Sequence, residues 1–112
     1  MTQVFFYGHA TIALTEANSN HEEIAQEHLN IISQAEFIDE DTALVANLAR
    51  ASIALRNFDL DTARQRIDTA TLLNPNHPLI QHYEDLFSEL LDENKLEKDE
   101  EITNERDYGD LF

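Results

Sequence analysis

No cysteine occurs among the 112 residues, which excludes disulfides, thiolate metal sites and a cysteine nucleophile together and fits a reducing compartment. Glycine and proline are scarce, at two residues each. That scarcity disfavours an all-β or loop-rich design and favours long helices built from Ala, Leu, Ile, Glu and Gln. No apolar run reaches the ~18 residues of a membrane span, and the start Met1-Thr2-Gln3-Val4-Phe5-Phe6 lacks the basic region of a secretory leader. The expected location is the cytoplasm. Positive charge is also sparse: seven Lys and Arg stand against 23 Asp and Glu, giving a net charge of −16, and none precedes Arg50. Such a chain repels phosphate backbones and anionic lipid, so no direct contact with nucleic acid or membrane is expected.

Hydrophobic residues make up 42% of the chain, and the length suits one domain with a single modest core. Two segments can be laid over each other: Val4 to Thr15 and, forty-one residues on, Val45 to Arg56. A period near forty residues, with two helical patterns in each unit, describes units that cannot bury their apolar faces alone and must stack.

Apolar spacing predicts five helices. The first spans residues 3–17 with Val4, Tyr7, Thr11 and Leu14 on one stripe, and Asn18-Ser19-Asn20 supplies turn chemistry, with Asn20 or Ser19 capping the next helix. A second runs to about Ala35, burying Ile24, Ala25, His28 or Leu29, Ile32 and Ala35. Asp39-Glu40-Asp41-Thr42 opens the third, which turns Leu44, Val45, Leu48, Ala51, Ser52 and Leu55 inward. Asp59 or Asp61 starts the fourth, with Leu60, Ala63, Ile67, Ala70, Thr71 and Leu73 inward, and Asn74-Pro75-Asn76-His77-Pro78 stops it. The fifth carries Leu79, Ile80, Tyr83, Leu86, Phe87, Leu90 and Leu91. Beyond Asn94 the periodicity fades into acids, and residues 95–112 are expected to form a flexible acidic tail.

The segment from Leu44 to Pro78 resembles a tetratricopeptide repeat: Asp59-Leu60-Asp61-Thr62-Ala63-Arg64 is similar to that family's turn into its second helix, Ala63 and Ala70 match its two small positions, and Asn74-Pro75-Asn76 matches the closing proline. Residues 4–38 resemble a weaker copy, with Ala25 opposite Ala63, Leu29 opposite Ile67 and a turn longer by three residues. The usual turn glycine is replaced by Asn57 or Phe58, and the large aromatic of the first helix is absent. The resemblance implies an all-α domain over 1–94, with helical hairpins at about 3–38 and 44–77 and a capping helix at 78–93. It also implies a concave groove that takes a peptide or amphipathic helix, lined by Val4, Tyr7, Thr11, Leu14, Val45, Leu48, Ser52, Leu55 and Arg56. In size, acidity and architecture the chain is similar to the small chaperones of type III secretion.

Chemistry is thinly represented. His21 and His28 are seven residues apart without a His-Glu-x-x-His pattern, and His77 and His82 fall on different faces. Asp39, Glu40 and Asp41 read as a helix start rather than an acid–base pair. No phosphate loop or serine triad is recognisable, so neither an enzyme nor a bound cofactor is expected. Arg50, Arg56, Arg64 and Arg66 either pair locally with Asp59, Asp61 and Asp68 or form a positive spot at one end of the groove. The final Asp110-Leu111-Phe112 is similar to the end of sliding-clamp-binding peptides and to the acidic tails of single-stranded-DNA-binding proteins. The resulting expectation is a non-catalytic adaptor or small chaperone that binds another protein and could form a homodimer. The alternatives are an acidic mimic of DNA, or tail-mediated docking to a replication protein such as the sliding clamp.

Overall fold

The computed structural model describes residues 2–93, all of it helix, turn or loop with no strand among the described residues. Four helices have defined ends, α1 (Thr2–Asn18), α2 (Glu22–Ser33), α3 (Glu40–Arg56) and α4 (Leu60–Leu73), and a fifth, α5, occupies 78–93. α1 packs on α2 and on α3, α3 packs on α4, and α2 barely touches α3. This is a stack of hairpins in which first helices meet first helices. No helix among the described residues is long and apolar enough to cross a membrane.

The helix ends follow from local chemistry. Asp39 accepts a hydrogen bond from the Thr42 backbone N–H at 2.8 Å and Asp59 from that of Thr62 at 3.2 Å, so Asp39 caps α3 and Asp59, rather than Asp61, caps α4. Thr42, through its side chain and then its backbone, holds the Asp39 carboxyl below its ordinary range. α4 ends at Leu73, just ahead of Pro75. At the start of α2 the expectation needs correction: the capping position is His21, without a side-chain cap, and the helix stops at Ser33 rather than Ala35. Asn20 instead stands at φ 65°, where its N–H bonds the Ala17 carbonyl while the His21 N–H reaches Glu16. That pairing closes α1 in a left-handed C-terminal turn. The same closure ends α3, where Phe58 at φ 56° takes the left-handed place, its N–H on Leu55 and that of Asp59 on Ala54. Phe58 therefore adopts the backbone conformation for which glycine is the usual choice.

The structural period is 38 residues, since first helices begin at Thr2, Glu40 and residue 78, and second helices at Glu22 and Leu60. The sequence echo at forty-one residues is out by three, close to one helical turn, so apolar faces align almost as well in either register. The two hairpin turns are equally long, which corrects the three-residue insertion expected in the first. At the true spacing, Ala10 pairs with Leu48, Ala13 with Ala51, Ala17 with Leu55, Ala25 with Ala63, Leu29 with Ile67 and Ile32 with Ala70, all of them buried. In α5 the buried Ile80, Tyr83 and Phe87 repeat the buried Thr42, Val45 and Ala49.

A polar pair recurs at this spacing as well. His9 Nδ1 of α1 lies 2.7 Å from His28 Nδ1 of α2, a separation at which one ring nitrogen donates and the other accepts. Thirty-eight residues on, Arg66 of α4 donates to Asn47 Oδ1 of α3 at 3.3 Å. Between the hairpins α3 is buried nearly all round, from Leu44 to Leu55, as befits a helix enclosed by neighbours. Each fully buried Leu or Ile there contributes roughly 1.5–3 kcal/mol of transfer free energy.

Candidate functional site

The C-terminal end of α1 is drawn into the stack by one amide. Asn18 Oδ1 accepts from Ser52 Oγ at 2.7 Å and from the Tyr83 hydroxyl at 2.9 Å, joining α1, α3 and α5. The Arg56 guanidinium donates to the Asn18 carbonyl, where a cation complements the free end of the helix. Tyr83 is buried, and that burial pushes its phenol above the ordinary tyrosine range against the opposing effect of its hydrogen bonds.

Around this node opens a cleft of about 430 Å³. Leu55, Leu86 and Leu90 supply apolar surface, Phe58 stands at its edge, and Arg56, Glu89 and Glu93 bring charge of both signs. Its walls are first helices of successive units, the surface on which the groove is expected. Of the nine residues anticipated for that groove, Ser52, Leu55 and Arg56 line the cleft. Tyr7 and Thr11 are exposed on α1, Leu14 is half-buried, and the side chain of Val4 lies outside the described residues. Val45 and Leu48 are corrected to core: Leu48 is 0% exposed, enclosed because α3 is the middle first helix of three. Asn18, Phe58, Glu89 and Glu93 were missed; Leu86 and Leu90 were legible only as inward positions of the fifth helix. Asp110, Leu111 and Phe112 lie outside the described residues.

The four arginines do not act as a group. Arg64 bonds Asp68 at 2.7 Å and Glu84 of α5, and its guanidinium lies 4.8 Å from the centre of the Phe87 ring. Glu84 above all holds the Arg64 proton more tightly than usual. Arg56 serves Asn18. Arg50 and Arg66 share a separate cleft of about 300 Å³ with Gln26, Asn57, Asp59 and Thr62. There burial, and then the neighbouring charge of Arg66, lowers the Arg50 pKa.

The histidines are likewise engaged locally. His21 Nδ1 meets Glu16 Oε2 at 2.6 Å, His77 Nδ1 accepts from the Leu79 N–H at 3.2 Å, and the His82 ring packs edge-on to Tyr83 at 5.1 Å. Among the described residues no three His, Asp or Glu come together as a metal site would require. Compared with known proteins, the chain matches no family model, no curated protein and no solved structure.

Proposed function

We propose that the chain is a non-catalytic adaptor or small chaperone that holds a helix or extended peptide of another protein in the cleft at Asn18, Leu55, Arg56, Leu86 and Leu90. One observation carries this reading: an open cleft with apolar walls and a charged rim lies where the end of α1 meets α3 and α5. Hairpin stacks of the tetratricopeptide type recognise partners with such surfaces, and the alternation of first and second helices supports the likeness. The spacing of 38 residues, from Thr2 to Glu40, is longer than the ~34 of that family.

The occupant follows from the walls. Leu86 and Leu90 favour an apolar anchor, while Glu89 and Glu93 favour a Lys or Arg one turn away from it. Selection from a displayed peptide library on the intact chain tests this. Recovered peptides should pair an apolar residue with a basic one, and Leu90→Asp should weaken them by about 2 kcal/mol or more. Peptides that bind Leu90→Asp equally well would exclude the cleft. A response to salt dominated by charge, with no apolar anchor, would favour the acidic-mimic reading instead.

A further inference from the structure

Asp and Glu outnumber Lys and Arg by 23 to seven in this chain, so an arginine without a carboxylate is the exception that needs explaining. Arg64 takes two, Asp68 and Glu84. Arg50 and Arg66 take none: among the described residues neither forms an ion pair, although both are half-buried and line one cleft of about 300 Å³. Burying an unpaired charge is costly, and a like charge beside it adds to the cost.

The fold does not require this arrangement. At the 38-residue spacing Arg50 and Arg66 stand where Ile12 and His28 stand one unit earlier, and the hairpin of α1 and α2 closes without a guanidinium at either place. Arg66 is nonetheless held in position, since its Nη1 donates to Asn47 Oδ1 at 3.3 Å while its Nε is buried without an acceptor. Asn47 is neutral, so this bond fixes the guanidinium without offsetting its charge. The Arg50 side chain makes no hydrogen bond among the described residues, and burial, followed by the charge of Arg66, makes its proton easier to lose.

The acids nearby are engaged elsewhere. Asp59 also lines the cleft, and its Oδ1 accepts from the Thr62 N–H at 3.2 Å. Glu22 reaches the edge through Asn57, whose Nδ2 donates to Glu22 Oε1 at 3.3 Å. The Thr62 hydroxyl and the Gln26 amide line the same space and make no side-chain hydrogen bond among the described residues. Two unpaired guanidiniums, a hydroxyl and an amide, drawn from α2, α3 and α4, thus border one opening.

An oxyanion suits this set of donors, and charge narrows its class. A carboxylate has one charge and two oxygens, enough for a single guanidinium fork. A phosphate group carries about −1.5 to −2 at neutral pH with three acceptor oxygens, so one group can pair with both arginines and still accept from Thr62 or Gln26. The cleft has the volume of a small-molecule site of the lesser kind. The net charge of −16 opposes polyanions, yet charges beyond about 8 Å are largely screened at physiological salt, which leaves a single phosphate in the cleft to the two guanidiniums beside it. We infer that the cleft between α2, α3 and α4 binds a phosphate group, free or carried by a small molecule, between Arg50 and Arg66.

Titration of the full chain with inorganic phosphate and, separately, with glycerol phosphate tests the inference, read from backbone amide and arginine Nε–H NMR signals with chloride holding the ionic strength constant. Saturable shifts are expected at Arg50, Thr62 and Arg66, with the dissociation constant rising at least tenfold in Arg50→Gln and in Arg66→Gln. Arg66→Lys keeps the charge without the fork and should fall between the native chain and Arg66→Gln. Tighter binding of glycerol phosphate would assign the site to an esterified group, and tighter binding of inorganic phosphate to the free ion. Shifts that never saturate, an equal response to acetate, or an affinity unaltered by Arg50→Gln would overturn the inference. Should Arg66→Gln lose helicity, Arg50→Gln decides alone, because the Arg50 side chain holds no other group in place. Leu90→Asp, which tests the partner cleft, should leave phosphate binding unchanged, so the two sites are judged separately.

Discussion

The Tyr83 hydroxyl donates to Asn18 Oδ1 at 2.9 Å, spanning 65 positions of sequence. Ser52 donates to the same oxygen, so a single amide at the end of α1 satisfies the buried phenol of α5 and a buried hydroxyl of α3 together.

Tyr83→Phe should therefore cost about 1 kcal/mol, the net value of one such hydrogen bond, measured by denaturant melts at neutral pH. The alkaline limb carries a second signature. Burial raises the Tyr83 pKa above its ordinary 10.0, so its contribution is whole below that value. As pH rises further the unfolded chain loses the phenolic proton first, and stability falls until the folded value is passed. Tyr83→Phe should lose this part of the alkaline destabilisation; an unaltered alkaline limb would deny Tyr83 the role.

Leu48 and Tyr7 lie on first helices in adjacent units but differ in surroundings. Leu48→Glu places a carboxylate where no surface is exposed and should cost about 4 kcal/mol. Tyr7, 45% exposed, should accept Glu within about 1 kcal/mol. Thermal melts followed by circular dichroism compare them directly. A native melting temperature in Leu48→Glu would mean that α3 is not enclosed as described.

Phe58 holds φ 56° with its side chain 72% exposed. Left-handed backbone costs a residue with a Cβ roughly 1–2 kcal/mol, partly offset in Phe58→Gly by the greater freedom of glycine when unfolded. The net gain should be about 0.5–1 kcal/mol, seen as a higher melting temperature. Peptide binding in the cleft should weaken at the same time, since the ring is lost from its edge. Improved stability with undiminished binding would leave Phe58 without a part in recognition.

Much of the frame was legible because it is written in short-range chemistry. Asp39, Asp59 and Pro75 mark helix ends through contacts within a few residues, and amphipathic spacing places the helices between them. The period was misread by three residues because α1 and α3 are so rich in alanine that a shift of nearly one turn still superposes small on small. In the cleft, Ser52, Leu55 and Arg56 were expected through the groove that the tetratricopeptide resemblance implies. Asn18 could not be found, because a turn asparagine gives no sign of bridging two distant helices. Nor could Phe58, whose left-handed backbone a phenylalanine does not advertise.

The recurring pairs within each hairpin, His9 with His28 and Asn47 with Arg66, each join residues 19 apart. Sliding one helix past its mate by a turn would separate both members, so each hairpin carries its own alignment mark and needs no neighbour to find it. A chain built this way collects its contacts from nearby sequence, the condition associated with rapid folding. Assembly then becomes a matter of adding hairpins already aligned, and among the described residues the longest search is left to Tyr83 and Asn18, the contact that locks α5 to α1.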